Sequence, residues 1–259
     1  MKPIAAAVLA AACAVAQAGE YRLLPGARFE SVLPQGPVAT VSAPVDVAPF
    51  AMRTTPVTVG EFSRFVQAHP EWMRGQAPAV FADGRYLLQW STPSSAGGAV
   101  REDAPVTEVS WFAARAFCES EGARLPTWIE WEYAAAADAT RADARNDPAW
   151  RRAILSWYEK PGGAALAAVG GTPNAYGLRD LHGLVWEWVD DFNALFIAGD
   201  SRTQGDPDKL KFCGAGAINI IDRDSYAVLM RIALLSSLNA ADSTSSLGFR
   251  CVRPSRGSP

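Results

Sequence analysis

The chain has 259 residues, of which 49% are hydrophobic and 20% are charged. These values are typical of a globular protein with a sizeable core, and they exclude an intrinsically disordered chain. Lysine and arginine (24) nearly balance aspartate and glutamate (27), with a net charge of −3, so neither nucleic acid nor an anionic membrane surface is an expected partner. The chain has nine tryptophans but only two histidines, which argues against a metal centre built from imidazoles, such as a two-histidine iron site.

The first 18 residues have the pattern of a secretory signal peptide. Lys2 supplies a positive charge, an alanine-rich apolar run covers residues 4–15, and small residues stand at positions 16 and 18. The run is shorter than the ~20 residues of a membrane-spanning helix. The sequence therefore predicts cleavage after Ala18 and a periplasmic or secreted protein with no membrane span. A lipid anchor at Cys13 and a buried N-terminal helix are the alternatives.

Cleavage after residue 18 leaves three cysteines in the mature chain, Cys118, Cys213 and Cys251. In an oxidising compartment two of them are expected to pair, which leaves one thiol, and the sequence alone does not choose the pair. The chain has no Cys-x-x-Cys or Cys/His spacing typical of a zinc site.

The N-terminal part of the chain alternates strands and loops before its first helix. Residues 19–45 have strand-like and loop-like patterns punctuated by prolines. Thr58 and Glu61 form a capping box, which predicts a helix that ends near Ala68. The turn-rich stretch that follows includes one predicted strand, from Tyr86 to Trp90.

Further helices are predicted in the middle of the chain. Ser110 predicts a helix over residues 111–121, and a capping box at Thr127 predicts the next one. Asp147 begins a weaker helical pattern, and short strand-like runs alternate with loops from Leu178 onward. Neither a repeat nor a linker is present, so we predict a single α+β domain with much irregular structure.

Four segments and the end of the chain share the motifs of one protein family. They are Pro56-Val57-Thr58 with its helix, PVTEVSW at 105–111, ARLPTWIEWEYA at 123–134, NAYGLRDLHGLVWEW at 174–188 and LGFRC at 247–251. In this order they resemble the sulfatase-modifying-factor family, whose founding member is formylglycine-generating enzyme. The resemblance covers residues 45–253. The resemblance implies a variant of the C-type-lectin fold with little regular secondary structure. It divides the chain into a signal peptide (1–18), an N-terminal strand and loop segment (19–44) and a family domain (45–259).

Within these segments some residues have expected structural roles. Arg124 and Glu132 are expected to form a structural ion pair. The tryptophans are expected to supply core or cleft wall, because aromatic side chains bury large areas; they are Trp128, Trp131, Trp186 and Trp188.

The resemblance also implies a calcium site on the fourth segment. Asp180 and Glu187 would supply carboxylates, and Gly183 and Val185 would supply backbone carbonyls, which are the oxygen ligands that calcium prefers. The alternative is a solvated acidic turn beside a buried glutamate.

The family has a disulfide and a copper-binding pair of cysteines. The resemblance implies the disulfide between Cys118 and Cys251. The copper pair falls at Asp222 and Ala227, neither of which is a thiol. Because two soft thiolates are what holds Cu(I), copper-dependent formylglycine generation is not expected here.

Four residues near the lost copper pair are candidates for catalysis or binding: Cys213, Asp222, Tyr226 and Arg231. Cys213 could be a reactive thiol in the cleft, the site of a mixed disulfide with a partner, or a small buried apolar residue. The other three offer polar groups for binding or acid–base work.

Three functions follow from the resemblance. The first is an exported maturation or accessory factor without the copper pair, acting on a periplasmic protein or a peptide-derived substrate, as relatives do in siderophore maturation and beside nitrite reductase. An enzymatic subtype would carry out an oxidoreductase-like modification. The second is a non-enzymatic, calcium-braced binding module for protein, peptide or glycan. The third is a formylglycine-generating oxidase that uses a relocated thiol, Cys213.

Overall fold

The structure is a computed structural model that describes residues 19–33, 44–158, 165–195 and 226–255. In these ranges the helices are α1 (Val59–Ala68), α2 (Trp111–Ser120), α3 (Trp128–Ala135), α4 (Pro148–Tyr158) and α5 (Tyr226–Ser236). The strands are β1 (Tyr21–Leu24), β2 (Ala27–Phe29), β3 (Val45–Val47), β4 (Phe50–Arg53), β5 (Trp186–Glu187), β6 (Leu247–Gly248) and β7 (Val252–Pro254). No helix in these ranges has both the length and the hydropathy to span a membrane.

The sheets bring the two ends of the described chain together. An antiparallel sheet has the order β1-β4-β7, with Tyr21 opposite Arg53 and Phe50 opposite Pro254. Two smaller sheets pair β2 with β3 in antiparallel and β5 with β6 in parallel. The strand β4 therefore lies between the first and the last strands, which is how an early segment comes to pack into the same domain as the C-terminal motif.

Aromatic side chains build the core between the first two helices and the C-terminal segment. On α1, Phe62, Phe65 and Val66 are buried on one face, as the i, i+3, i+4 pattern predicts. The ring centroid of Phe62 lies 5.9 Å from that of Phe117 on α2. It lies 6.1 Å from that of Phe249, between β6 and β7. Burial of these rings fixes both helices against the end of the chain.

The predicted helices α1, α2 and α3 are confirmed together with their caps. The side chains of Thr58, Ser110 and Thr127 each accept the backbone N–H of the residue three positions on. Helix α4 follows Asp147, whose Oδ1 accepts the N–H of Ala149 at 2.7 Å. The mixed α+β class is confirmed as well.

Two predictions about elements were wrong. Residues 86–90 form turns, not a strand, because Leu87 has a left-handed backbone (φ +49°) that ends any extended run. The residues of α5, taken as strand-like runs, are helical. Its sequence YAVLMRIALLS is almost uniformly apolar. It therefore shows neither the 3.6-residue period of a helix nor the two-residue period of a strand, and such a run does not distinguish the two.

Candidate functional site

A disulfide joins helix α2 to the C-terminal motif. Cys118 and Cys251 are bonded, with their Cα atoms 5.5 Å apart and a sequence separation of 133. Both cysteines are buried. This is the pair that the resemblance implies, and it holds the LGFRC segment against the aromatic core.

Next to the disulfide, a buried ion pair occupies the centre of the domain. Glu187 on β5 and Arg250 are both 0% exposed. The Arg250 Nε lies 3.0 and 2.9 Å from the two carboxylate oxygens, and its Nη2 donates to Oε1 at 2.8 Å. Its remaining N–H groups donate to backbone carbonyls, those of Arg53, Thr54 and Arg179. A buried charge pair is tolerable only when its hydrogen-bonding capacity is filled in this way.

Helices α3 and α5 meet on the other side of this glutamate. The indole Nε1 of Trp131 donates to the Glu187 carboxylate at 2.7 Å. Arg231 on α5 is 2% exposed, and its guanidinium lies 3.4 Å from the centroid of the Trp131 ring. Its Nη2 donates to the Glu187 carbonyl. Arg231 thus anchors α5 to β5 and α3, in a position away from solvent.

His182 lies between helices α3 and α4. Its Nε2 is 2.8 Å from the carbonyl of Ala135, so that nitrogen carries the proton. The rings of Trp131 and Trp150 pack edge-to-face against the imidazole ring, with their centroids 5.8 and 5.5 Å away. Burial lowers the pKa of His182 to about 4. It is therefore a neutral packing residue at physiological pH.

Glu132 on α3 holds the N-terminal segment, a role that the sequence did not reveal. It accepts hydrogen bonds from the Ser31 hydroxyl, the Val32 N–H and the Trp128 indole. Burial raises the pKa of this carboxyl. The expected ion pair with Arg124 was wrong: Arg124 binds Glu130, the N3 residue of the capping box, with N–O distances of 2.7 and 2.6 Å.

A row of partly exposed aromatic side chains covers one face of the domain. The ring centroids of Trp72 and Phe81 are 6.3 Å apart, those of Phe81 and Phe112 are 5.0 Å apart, and those of Phe112 and Trp111 are 5.4 Å apart. The guanidinium of Arg115 lies 5.4 Å from the Trp111 ring. Phe81 is 39% exposed. Such a surface can bind apolar or planar groups of a ligand.

The family model described as "Sulfatase-modifying factor enzyme 1-like domain" matches residues 9–255. The chain belongs to this family.

Relatives of this chain differ in the activity that their names state. The formylglycine-generating enzyme of Streptomyces coelicolor is 31% identical, over 90% of this chain and 88% of the relative. The inactive C-alpha-formylglycine-generating enzyme 2 of Bos taurus is 28% identical, over 88% and 86%. The hercynine oxygenase of Mycobacterium tuberculosis is 32% identical, over 56% of this chain and 38% of the relative.

Two solved structures are similar to this sulfatase-modifying-factor domain at 18% identity. One is CarF, which covers 92% of this chain and 98% of its own, with a TM-score of 0.49. The other is PvdO from Pseudomonas aeruginosa, which covers 91% and 94%, with a TM-score of 0.48.

The two acidic side chains implied as calcium ligands make other hydrogen bonds in this structure. The Glu187 carboxylate accepts hydrogen bonds from the Arg250 guanidinium and the Trp131 indole. The oxygens of Asp180 accept the N–H groups of Gly170 and Gly171 at 2.7 and 3.0 Å. The Arg250 guanidinium also donates to the carbonyl of Arg179, the residue before Asp180. A positive charge therefore already lies between the segments that carry Asp180 and Glu187. In the described ranges, His, Cys, Asp and Glu form no group of three or more that could hold a metal ion.

The two other implied ligands and the catalytic candidates fall in different places. Gly183 has a left-handed backbone (φ +94°) and is exposed, whereas Val185 is buried. Cys213 and Asp222 lie outside the described residues, and Tyr226 is the first residue of α5. Of the four catalytic candidates, the described side chain is that of Arg231, which contacts the Trp131 ring and the Glu187 carbonyl.

Proposed function

We propose that this protein is an exported member of the sulfatase-modifying-factor family that lacks the copper-binding thiols. It acts as a maturation or accessory factor on a periplasmic protein or a peptide-derived substrate. Its domain supplies a rigid, disulfide-linked scaffold and an aromatic face, and its chemistry differs from copper-dependent oxidation.

The disulfide is the observation that carries this proposal. The chain has four cysteines, and Cys118 and Cys251 are bonded to each other. Cys13 precedes the predicted cleavage site, so the mature chain keeps Cys213 as its single thiol. Because Cu(I) in this family needs two thiolates, one cysteine does not rebuild the site.

Two further features support export. Residues 1–18 have the charge, apolar run and small residues of a signal peptide. A disulfide buried in the core is also typical of proteins that fold in an oxidising compartment. The relatives include a formylglycine-generating enzyme and a protein named as its inactive counterpart, so membership of the family is compatible with loss of the oxidase activity.

A metal and activity measurement on the exported protein tests the proposal. The full chain is expressed in an exporting host, and the purified protein is denatured without reductant and alkylated to count its thiols. We expect one alkylated cysteine per chain. After incubation with Cu(I) and removal of excess metal, we expect far less than one copper per chain, and no aldehyde on a cysteine-containing sulfatase peptide in the presence of O₂ and a thiol reductant.

The Cys213→Ala variant provides the matched control. It should give no alkylated cysteine and should match the parent in copper content. One tightly held copper per chain together with aldehyde formation, both lost in Cys213→Ala, would overturn the proposal in favour of a relocated oxidase site.

A binding module without turnover is the second candidate, and the row from Trp72 to Trp111 favours it. Its aromatic side chains are partly exposed, and the Arg115 guanidinium lies 5.4 Å from the centroid of the Trp111 ring. Replacing Phe81 with serine should weaken binding of periplasmic peptides or glycans at least tenfold in titration calorimetry without altering the fold. The corresponding change at exposed Val80 is the control. Product formation from the bound ligand would decide for an enzyme.

A further inference from the structure

Four partly exposed aromatic side chains follow one another across one face of the domain, and we call them the aromatic row: Trp72, Phe81, Phe112 and Trp111. A segment near the end of the chain, residues 240–244, joins the two segments that carry the last three rings. The Asp83 N–H donates to the Ala241 carbonyl at 2.9 Å, and the Trp111 N–H donates to the Ala240 carbonyl at 3.0 Å. Backbone hydrogen bonds therefore fix the distance between these segments before any ligand binds, which lowers the entropic cost of binding.

Two residues with strained backbones lie in the same segments. Leu87 and Glu108 have left-handed backbones, with φ of +49° and +57°. The Leu87 N–H donates to the Glu108 carbonyl at 2.9 Å, and the Glu108 N–H donates to the Thr244 carbonyl at 2.9 Å. Residues other than glycine keep such backbones only where the surrounding contacts determine them, and they are frequent at binding sites. This strain is a second observation, independent of the exposed rings, that points to a functional surface.

Neighbouring rings of the aromatic row are inclined to one another. The planes of Trp72 and Phe81 meet at 50°. The planes of Phe81 and Phe112 meet at 66°, and those of Phe112 and Trp111 meet at 82°. A sugar or another planar group stacks on a flat aromatic face, and rings at these angles offer no continuous flat surface. They leave notches between the face of one ring and the edge of the next, which suit apolar side chains.

Two charged groups beside the aromatic row already have partners within the domain. The Arg115 Nε donates to the Glu119 carboxylate at 2.8 Å. The carboxylate of Asp83 accepts the backbone N–H groups of Arg85 and Ser243 at 3.1 and 3.3 Å. A ligand that binds these groups through its charge has to compete with those partners, whereas an uncharged apolar segment leaves them in place.

The exposed area of the aromatic row indicates the size of its ligand. Phe81 is 39% exposed, and the other three side chains are partly buried. Such a patch offers roughly a few hundred Å² of apolar surface, less than the ~800 Å² that each partner contributes to a stable protein–protein interface. It is therefore too small for a dimer of this chain. Because neighbouring centroids are 5.0–6.3 Å apart, an extended peptide of about five residues spans the four rings.

We propose that the aromatic row binds a short, uncharged peptide segment with apolar side chains, within the protein or peptide on which this factor acts. The ring of Phe81 makes the central contact, and apolar side chains of the segment occupy the notches beside it. This inference rests on the proposed function, because it names the class of substrate that the accessory factor recognises.

A selection from a library of random nine-residue peptides displayed on phage tests this proposal. The bait is the protein exported from the full chain, with its disulfide intact. We expect the enriched peptides to carry two or more apolar side chains. Synthetic copies of them should bind with a Kd of about 1–100 µM in titration calorimetry, as a small interface implies.

Substitutions in the aromatic row locate the binding site. Phe81→Ser and Phe112→Ser should each weaken binding of a selected peptide by at least about tenfold, and Phe81→Tyr, which keeps the ring, should stay within about threefold of the parent. Leu23→Ser is the matched control, because Leu23 is 65% exposed on β1 and lies outside the row; its Kd should equal that of the parent. Tm values identify any variant that does not fold. If neither serine variant folds, photo-crosslinking of a selected peptide to the parent should label residues 72–112.

Several results would overturn the proposal. They are a library without enriched peptides, peptides that bind Phe81→Ser as tightly as the parent, and crosslinks outside residues 72–112. Binding of chitohexaose, binding of phosphatidylglycerol vesicles, or self-association in sedimentation, if abolished by Phe81→Ser, would assign the row to a glycan, a membrane or a second copy instead.

The thiol count and copper content of the exported protein do not depend on the aromatic row. Failure of the peptide selection therefore leaves the proposed loss of copper chemistry standing. One tightly held copper per chain would overturn that proposed function whatever the selection gives.

Discussion

At the scale of single residues, the buried carboxylates of Glu187 and Glu132 are each held by several partners. Glu187 accepts from a guanidinium and an indole, and Glu132 accepts from a hydroxyl, an amide and an indole. A buried carboxylate without such donors would cost several kcal/mol. These residues therefore specify how α3 packs, and their presence does not by itself indicate catalysis.

His182 should make the stability of the protein depend on pH. Its folded pKa of about 4 lies below the ordinary value of 6.5, so the unfolded chain binds a proton that the folded chain excludes. The contribution of neutral His182 to the free energy of unfolding is fully present above pH 6.5. It is lost as the pH drops toward 4, by up to about 3 kcal/mol. Urea unfolding at a series of pH values measures this loss.

His182→Gln removes the titrating group and keeps a side chain able to donate to the Ala135 carbonyl. The variant should lose less stability than the parent between pH 6.5 and 4. The carboxylates titrate in both proteins, so the difference isolates the histidine, and the His69→Gln change at a partly exposed position serves as a control. Parallel pH curves for the parent and His182→Gln would contradict the prediction.

At the scale of elements, short strands with few hydrogen bonds are joined by side chains. The strand β5 has two residues, and its parallel partner β6 also has two. Arg250 links this pair to the loops at residues 54 and 179, and Arg231 links it to α5. The central ion pair therefore substitutes for the long sheet ladders of more regular folds.

Replacing one partner of the central ion pair should destabilise the domain strongly. Arg250→Met leaves the Glu187 carboxylate buried without its cation, and we expect a loss of about 3–5 kcal/mol in the free energy of unfolding. Arg101→Gln, which removes an exposed ion pair with Asp103, is the control and should leave the unfolding midpoint unchanged.

A double-mutant cycle distinguishes loss of the ion pair from loss of packing. Glu187→Met combined with Arg250→Met removes both charges, so the double variant should be more stable than Arg250→Met alone. Guanidinium unfolding of the four proteins gives the coupling energy. Additive effects of the two substitutions would show that the ion pair has no special role.

At the scale of the whole molecule, the disulfide closes a very long loop. It joins residues 133 positions apart, and the segment between them contains about half of the described residues. On the chain-entropy account, such a link reduces the freedom of the unfolded chain and stabilises the fold by about 4–5 kcal/mol. The same link fixes the C-terminal motif beside Glu187.

Removal of both bonded cysteines should lower the free energy of unfolding by about 4–5 kcal/mol. Guanidinium unfolding of the Cys118→Ala, Cys251→Ala double variant measures it, with Cys213→Ala as the control that keeps the bond. If the double variant does not fold, unfolding of the parent with and without a strong reductant gives the same comparison. Equal stability with and without the bond would contradict the prediction.

Much of the architecture could be predicted from the sequence, because local chemistry determines it. The caps at Thr58, Ser110 and Thr127 mark helix starts, since each supplies an acceptor for an otherwise unpaired N–H. The ordered motifs indicated the family and the α+β class. Neither depends on which distant residues meet.

The tertiary structure decided what the local patterns left open. The N–H of Leu87 donates to the carbonyl of Glu108, and Arg231 of α5 donates to the carbonyl of Glu187. Neither acceptor is near its donor in sequence. Glu187 was an expected calcium ligand, but Arg250, 63 residues away, occupies its carboxylate. Charge pairing across such distances depends on how the whole chain folds, so motif spacing identified the family, and only the packed structure determined the partner of each buried charge.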